Sequence, residues 1–388
     1  MKSLILFFTI CCSQSFAEGR LQCIDLFSVH FGQLKPEFKN DTRYDVIVLD
    51  TVNIKDQCST SHCHMYTWSA ELENASGIQI ANSYLDAMRL YDQALAALKS
   101  GKTDLTLGSF AFESRNSIRK YGIVPESAWP GSKKFIEQPM YGHLEGALEA
   151  ILVRVAWIAA NTTADPASRA VKTFAKEEAR REILLMIENV TGKLPTDFVY
   201  ENKTYTPRSF AETFFPELYV PIVDVRMQNA LKVVERQKSG ARISLKMDFQ
   251  KGEKMMRQVL DEGRALFLSY RHHRQFVDSK TGVMSIEAFA YPKMAAALSP
   301  SLMSRYSKWG GSHAVLVVGY ELDPITGRVR KWKIQNSWGE GSGDRGYYHM
   351  YSDYFERFAW GFSFVKDDAI PLPVGVKPPK AVKSPAKT

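Results

Sequence analysis

The chain has few cysteines and, beyond its first residues, no long apolar run. Five cysteines in 388 residues are too few for a small disulfide-built scaffold. No later stretch offers about 18 apolar residues free of charge, so we expect no membrane span. The net charge of +8 is uneven, because four lysines without any acid in the last twenty residues hold half of it. With a nearly neutral body, the chain is not expected to bind nucleic acid.

The first seventeen residues differ in pattern from the rest of the chain. Lys2 precedes an apolar run at 4–10, and a small-x-small pattern ends at Ala17. This pattern predicts a secretory signal cut after about Ala17, and hence a secreted or periplasmic protein. Cys11 and Cys12 allow a lipoprotein signal as an alternative, although the residues before Cys11 are not the small ones that such a signal uses.

Removal of that segment leaves three cysteines, Cys23, Cys58 and Cys63. An odd number in an oxidising compartment indicates one disulfide and one free thiol. If Cys63 is the free one, the disulfide joins Cys23 to Cys58. Three buried and inert cysteines are the alternative.

Helix-like apolar spacing dominates the first part of the chain, and β-rich runs dominate the part after Pro221. Helices first and strands later predict an α+β protein rather than an alternating α/β sheet. We expect a signal peptide at 1–17, an N-terminal segment at 18–50, a helical part at 51–141, a second helical block at 142–215, a β-rich part at 216–368 and a disordered Lys/Pro tail at 369–388.

Residues 57–64 hold a glutamine, two cysteines and two histidines. Apolar residues at helical intervals come next and run to Gly77, which predicts a buried helix that begins near Cys63. A thiol in the first turn of a helix meets unpaired N–H groups and the positive end of the helix dipole. We therefore expect the pKa of the Cys63 thiol to be lowered.

A metal site is the alternative for the same cysteine and histidine side chains, since both types ligate zinc. Adjacent residues rarely turn onto one ion, however, and no second ligand pair is present at finger-like spacing. We expect no metal and no cofactor.

A second dense stretch begins with His313, which comes after two glycines and opens a strongly apolar strand. The next strand ends in Asn336-Ser337-Trp338-Gly339, which would place an amide beside the imidazole. A cysteine nucleophile needs an imidazole to accept its proton, and the imidazole needs a group that fixes its tautomer. Trp338 would shield that hydrogen bond from water.

The set of Gln57, Cys63, His313 and Asn336, in this order and spacing, resembles the papain-like cysteine peptidases. Within that family it is most similar to the bleomycin hydrolase and aminopeptidase C-like branch. The stretches that carry this closer similarity are 120–125, 332–340 and 346–355, together with the helical block at 142–215, where that branch has an insertion.

The resemblance implies a papain-like fold. A helical half would face an antiparallel, β-barrel-like half, with the active site in the groove between them. It also implies Cys63 as nucleophile, His313 as acid and base, Asn336 as orienting residue, and Gln57 with the Cys63 N–H as the oxyanion hole. The substrate would be a peptide or protein, while the oligomeric state stays open.

The sequence departs from the family beside the nucleophile. His64 stands where the family commonly has a tryptophan, and His62 where it has a small residue. The family's helical disulfide is also displaced, which leaves Cys58 to pair with Cys23. These departures motivate the alternative of a catalytically inactive papain-like protein that binds peptides or a partner. His272 and His273 are expected in a solvated turn near the rim of the groove.

Overall fold

The structure is a computed structural model that describes residues 33–39, 41, 43–48, 53–58, 60–105, 107–129, 138–227, 236–237, 242–290 and 311–366. The predicted signal peptide, Cys23 and the Lys/Pro tail lie outside the described residues.

The described residues form an α+β fold with eight α-helices and fourteen strands. The helices are α1 (Cys63–Ser76), α2 (Asn82–Ser100), α3 (Ala111–Tyr121), α4 (Gln138–Ala160), α5 (Pro166–Thr191), α6 (Pro207–Phe214), α7 (Phe249–Asp261) and α8 (Ser352–Phe358). The strands are β1 (Gln33–Leu34), β2 (Val46–Ile47), β3 (Phe198–Tyr200), β4 (Lys203–Tyr205), β5 (Ile222–Met227), β6 (Arg236–Gln237), β7 (Arg242–Met247), β8 (Leu266–His272), β9 (Val283–Met284), β10 (Phe289–Ala290), β11 (Gly311–Leu322), β12 (Val329–Gln335), β13 (Tyr347–Tyr351) and β14 (Ala359–Val365).

Ten of these strands form one sheet, in the order β6-β7-β5-β14-β8-β11-β12-β13-β9, and β2 also pairs with β11. The β5–β7 and β13–β9 pairs are parallel, and the other pairs are antiparallel. The predicted α+β class is confirmed; within its β-rich half, the described strands make an open, mixed sheet and not an antiparallel barrel. The two end strands, β6 and β9, have two residues each, which offers little backbone for closing a barrel.

Helix α1 has the position and length that its apolar spacing predicts. Met65, Trp68 and Leu72 are almost fully buried, and each such side chain stabilises the fold by about 1.5–3 kcal/mol. The Trp68 ring lies 5.4 Å from the ring of Phe267 on β8, so the helix packs against the centre of the sheet. Gly77 ends the helix with a φ of 72°, a backbone conformation that costs glycine little.

A buried ion cluster ties the N-terminal segment to the sheet. The Lys331 side chain is 0% exposed, and its Nζ lies 2.6 Å from Asp41 Oδ1 and 3.2 Å from Glu321 Oε2. The pKa of Asp41 is lowered to about 2: burial raises it, but the hydrogen bonds from Lys331 and its neighbours outweigh that effect. The segment then continues through β2 towards Gln57, so the cluster anchors the chain just before the site. No helix in the described ranges is long and apolar enough to cross a membrane.

Candidate active site

Cys63 is the first residue of α1, as the sequence predicts, and it carries a free thiol. Its side chain is partly exposed and packs against the core formed by the helices. The backbone N–H groups of Ala314, His64 and Cys63 itself all favour the thiolate. The thiol thus lies between the start of α1 and the strand that carries His313.

The predicted lowering of the Cys63 pKa is wrong. Burial raises the pKa of the thiol to about 11, and the three backbone N–H groups offset only part of that rise. The helix terminus does act in the expected direction, but the densely packed surroundings disfavour the thiolate more strongly. The sequence indicated the helix terminus and gave no measure of the packing around it.

His313 and Asn336 lie together at the adjacent ends of β11 and β12. The His313 Nε2 is 2.8 Å from Asn336 Oδ1, and the Ser337 N–H also donates to that oxygen, at 2.9 Å. Because a backbone N–H can only donate, the atom between them is the amide oxygen, and His313 must carry its proton on Nε2. In the neutral ring, Nδ1 then has a free lone pair to accept a proton.

Trp338 packs directly against His313. Its ring stacks on the ring of His313 at 4.5 Å and 18°. Burial lowers the pKa of His313 to about 4, although the hydrogen bond with Asn336 acts in the opposite direction. The resting imidazole is therefore neutral at physiological pH.

Gln57 is buried against the same strand end. Its Nε2 donates to the Thr60 carbonyl at 2.7 Å, and its Oε1 accepts from the Ser337 hydroxyl at 2.5 Å. The backbone holds it as well, since the Gln57 N–H donates to the Ser337 carbonyl at 2.8 Å. The amide is fixed at both ends, and one N–H of its Nε2 stays available for a further acceptor.

The structure thus brings Gln57, Cys63, His313 and Asn336 into one region. The thiol and the imidazole, however, are not hydrogen-bonded to each other: in the described part of the chain, no hydrogen bond joins the Cys63 sulfur to the His313 ring, and neither group is among the main causes of the other's pKa shift. In this conformation the site therefore holds a neutral thiol and a neutral imidazole.

The expectation of a solvated turn at His272 and His273 is wrong, because both side chains are buried. His272 ends β8 and lies edge-on to Trp338, with 4.8 Å between the rings, and its Nδ1 is 3.1 Å from the Tyr270 hydroxyl. Sequence reasoning missed this ring beside the site. Pairing of β8 with β11 places His272 opposite Gly311, a register that the sequence alone does not specify.

Two remaining expectations concern the cysteines and their possible partners. No cluster of three or more His, Cys, Asp or Glu side chains in the described ranges could hold a metal ion. The predicted Cys23–Cys58 disulfide involves a residue outside the described ranges and stays a prediction.

The site and the fold define a papain-like protein with its candidate nucleophile on a helix and its candidate base on a sheet. The sequence profile of the Peptidase C1-like family matches residues 114–372, well over half of the chain. The chain belongs to the Peptidase C1-like family.

Relatives support the same branch that the sequence motifs indicate. Aminopeptidase W of Lactobacillus delbrueckii subsp. lactis is 23% identical over 81% of each chain. Aminopeptidase C of Listeria monocytogenes is 24% identical over 63% of this chain and 58% of its own length. The crystal structure of PepW from Lactobacillus rhamnosis superposes with a TM-score of 0.62 at 18% identity, covering 85% of this chain and 83% of that one. The resemblance to the bleomycin hydrolase and aminopeptidase C-like branch is confirmed.

Another relative has a higher sequence identity over a shorter stretch. Cysteine proteinase 1, mitochondrial, of Saccharomyces cerevisiae is 34% identical over 120 residues, which span 30% of this chain. The chain spans only about a quarter of the length of that relative.

The predicted secreted or periplasmic location is wrong when set against these relatives. The yeast relative is named as mitochondrial, and the bacterial relatives are named as aminopeptidases. The physical reason is that a lysine followed by a short apolar run is a compositional pattern, which does not by itself define where a chain is delivered.

Proposed function

We propose that the chain is a cysteine peptidase that hydrolyses peptide bonds through Cys63, His313 and Asn336, with Gln57 in the oxyanion hole. The observation that carries this proposal is the proton on His313 Nε2. It is held there by the Asn336 side-chain oxygen, which leaves Nδ1 as the acceptor nitrogen of the ring.

In the first step, the Cys63 thiol transfers its proton to His313 Nδ1 while the sulfur attacks the carbonyl carbon of the peptide. The electron pair of the carbonyl moves to its oxygen, which gains a negative charge. The free N–H of the Gln57 amide and the backbone N–H of Cys63 donate to that oxygen. One such donor lowers the barrier by about 2.7–4 kcal/mol.

The tetrahedral intermediate then collapses. The C–N bond breaks, the His313 imidazolium gives its proton to the leaving amine, and Cys63 holds the acyl group as a thioester. Water then loses a proton to His313 as it attacks the thioester, and the carboxylic acid product leaves with the thiol restored. Asn336 keeps the ring in one orientation throughout, and Trp338 keeps water away from their hydrogen bond.

The resting thiol must turn towards His313 before it can react, since the two are not hydrogen-bonded in this structure. Rotation about the Cys63 side chain moves only the sulfur and leaves the helix in place. Substrate binding would favour the rotated state, because that state alone offers the sulfur to the carbonyl carbon.

A vinyl-sulfone peptide tests this proposal, because it is attacked by a thiolate and traps it covalently. We expect wild-type protein to gain one adduct at Cys63, to hydrolyse fluorogenic peptides, and to lose both properties in Cys63→Ala. His313→Ala should lower hydrolysis by at least about 10³-fold. A folded wild-type protein that gains no adduct and cleaves no peptide would instead be a binding protein.

We also propose that Cys58 is bonded to Cys23. Cys63 is the free cysteine of the described residues, and Cys58 is not among the free ones. Peptide mapping without reduction tests the pairing: a linked pair of peptides should contain Cys23 and Cys58. Alkylation of both cysteines in the unreduced chain would exclude the bond.

A further inference from the structure

Two buried imidazoles lie side by side at the candidate site. The ring centre of His272 is 6.0 Å from that of His313, and each of the two residues is only 7% exposed. At this distance two imidazolium charges would repel each other strongly, because little water separates them. The proposed chemistry needs an added proton on only one of these rings, so the structure has to distinguish the two histidines.

The strand register places both rings on one face of the sheet. In the antiparallel β8–β11 pair, His313 lies opposite Tyr270, and His272 lies opposite Gly311. Residues two apart on a strand share a face, and so do residues directly opposite each other. Tyr270 therefore adjoins both histidines: its ring centre is 5.7 Å from that of His313 and 5.9 Å from that of His272, in edge-on contacts.

The Tyr270 hydroxyl fixes the protonation of His272. Tyr270 is 1% exposed, and within the described ranges its hydroxyl has His272 Nδ1 as hydrogen-bond partner, at 3.1 Å. A buried O–H has to donate, so Nδ1 accepts and His272 carries its own proton on Nε2. A second proton, on Nδ1, would set two donors against each other. Burial, which lowers the pKa of His272 far below its usual range, acts in the same direction.

His313 differs from His272 in this respect. Asn336 holds the Nε2 proton of His313, and in the described part of the chain its Nδ1 accepts no hydrogen bond. Of the two rings, only His313 can take up a proton without breaking a hydrogen bond. His272 is therefore not a second base, and its place beside the base needs another explanation.

Trp338 connects the two histidines. Its ring stacks on that of His313, with 4.5 Å between the centres and 18° between the planes. It stands nearly perpendicular to the ring of His272, at 4.8 Å and 87°. A ring on the far side of Trp338 would be much farther than 6.0 Å from His313. The His272 ring therefore lies beside the stack and fills the space at the rim of Trp338.

We propose that His272 is a positioning residue for the proposed reaction: its neutral ring closes the rim of Trp338, holds Trp338 on His313 and, together with Tyr270, keeps water from the base. The chemical role rests on the proposed peptidase function, whereas the packing does not. His272 acts through Trp338 and is not itself a catalytic residue.

Exclusion of water gives this packing its chemical effect. Burial lowers the pKa of His313 to about 4, and the rings of Trp338, Tyr270 and His272 all lie within 6.0 Å of its ring. Without the His272 ring, water would reach the rim of the stack, and the pKa of His313 would rise towards its ordinary value. The other titratable groups near these rings are Cys63 on α1, His273 and Arg274 directly after β8, Tyr348 on β13 and Tyr354 on α8.

Nitrogen NMR of the full-length chain labelled with ¹⁵N-histidine tests this packing without any substrate. We expect wild-type His272 to stay neutral from pH 5 to 8 with its proton on Nε2, and each resonance is assigned by its loss in His272→Phe or His313→Gln. In His272→Ala, the titration midpoint of His313 should rise by about one to two pH units, towards the ordinary value near 6.5. An unchanged midpoint, or a wild-type His272 with its proton on Nδ1, would overturn the proposal.

Two further variants separate the ring from its hydrogen bond and from burial in general. His272→Phe keeps an aromatic ring beside Trp338 but loses the bond with Tyr270, so the His313 midpoint should stay near that of wild type. His273→Ala is the matched control, because His273 is also buried but packs against Phe276 and Phe358. A shift in either variant as large as in His272→Ala would refute the role of the ring. Should His272→Ala not fold, His272→Val also opens the rim of Trp338 and is read in the same way.

The pH profile of peptide hydrolysis links the packing to catalysis. A rise of the His313 midpoint from about 4 to about 6 would leave about a tenth of the imidazole neutral at pH 5, where wild type keeps about nine tenths. We therefore expect kcat/KM of His272→Ala for a fluorogenic peptide to fall about tenfold between pH 8 and pH 5. Wild type and His272→Phe should change much less. Parallel profiles in all three proteins would refute the positioning role.

The two proposals fail differently. If the wild-type chain cleaves no peptide, the proposed peptidase function fails, whereas the NMR titrations still decide whether His272 shields His313. If the chain cleaves peptides and His313 titrates alike in wild type and His272→Ala, the shielding role fails and the peptidase function stands.

Discussion

The pH dependence of Cys63 alkylation distinguishes a neutral resting pair from a preformed thiolate. With a thiol pKa of about 11, about one Cys63 in 10⁴ is a thiolate at pH 7. We expect the second-order rate constant for iodoacetamide to rise about tenfold per pH unit from pH 7 to 10, with no plateau near neutrality. Peptide mapping by mass spectrometry would follow Cys63 alone.

The free-energy cost of moving the proton from the thiol to the imidazole follows from the pKa values of the two groups. The thiol pKa is about 11 and the imidazole pKa is about 4, so moving the proton in this geometry would cost on the order of 10 kcal/mol. Rotation of the sulfur into a hydrogen bond with His313, together with bound substrate, has to remove most of that cost. Fast turnover then requires the rotated state.

The control for the alkylation experiment is His313→Ala. If the resting pair is neutral, that variant should follow nearly the same pH profile as wild type between pH 7 and 10. A wild-type rate constant that is flat between pH 5 and 8, and that falls in His313→Ala, would refute the reasoning and indicate a thiolate–imidazolium pair in the free protein.

Three further predictions concern catalysis and stability. Gln57→Ala should lower kcat about 10²–10³-fold in a fluorogenic peptide assay, because one oxyanion donor is lost. His313 is neutral when folded, with its pKa lowered to about 4, so the unfolded chain binds more protons between about pH 4 and 6.5. Stability should fall as the pH drops through that window, and His313→Gln should remove about 3 kcal/mol of the fall in urea unfolding at pH 7 and 4.5. Lys331→Met should lower the free energy of unfolding by up to about 3–5 kcal/mol, because it removes the fully buried cation between Asp41 and Glu321 and leaves these carboxylates only the more exposed Arg330 and Arg43.

Controls keep these results interpretable. Gln79→Ala, at an exposed glutamine, should leave kcat unchanged. Arg43 also contacts Glu321, but its side chain is 74% exposed, so Arg43→Met should change stability by less than about 1 kcal/mol. Equal losses in Arg43→Met and Lys331→Met, or an unchanged pH dependence in His313→Gln, would contradict the roles assigned to burial.

Local patterns predicted most elements of the fold correctly. The start of α1 at Cys63 was predicted from apolar spacing and its end from Gly77, and the predicted helical block at 142–215 holds most of the long helices α4 and α5. The pairing of His313 with Asn336 was predicted because the strand after the one that His313 opens ends in Asn336-Ser337-Trp338-Gly339. Each of these inferences needed only residues on one element or on the next one along the chain.

The features that the sequence did not predict depend on contacts between distant residues. The burial that raises the Cys63 pKa comes from several elements that pack around the thiol, and no local pattern measures it. His272 was expected in solvent because histidine and arginine cluster there, yet the register of β8 against β11 turns its ring onto Trp338. The open sheet likewise depends on how edge strands pair, which apolar runs do not specify.

Gln57 and Cys63 lie six residues apart, yet the end of the sheet holds Gln57 and helix α1 holds Cys63. Asp56 pairs with Trp338, the Gln57 N–H bonds to Ser337, and α1 begins only after the exposed Ser61. A backbone break after Ser61 would therefore leave Gln57, the proposed oxyanion donor, on the piece that carries the N-terminal segment, which docks on the sheet by its own contacts. We expect the two fragments, coexpressed, to reassemble with the amide in place, which makes this bond a natural point for splitting the chain into a two-part enzyme.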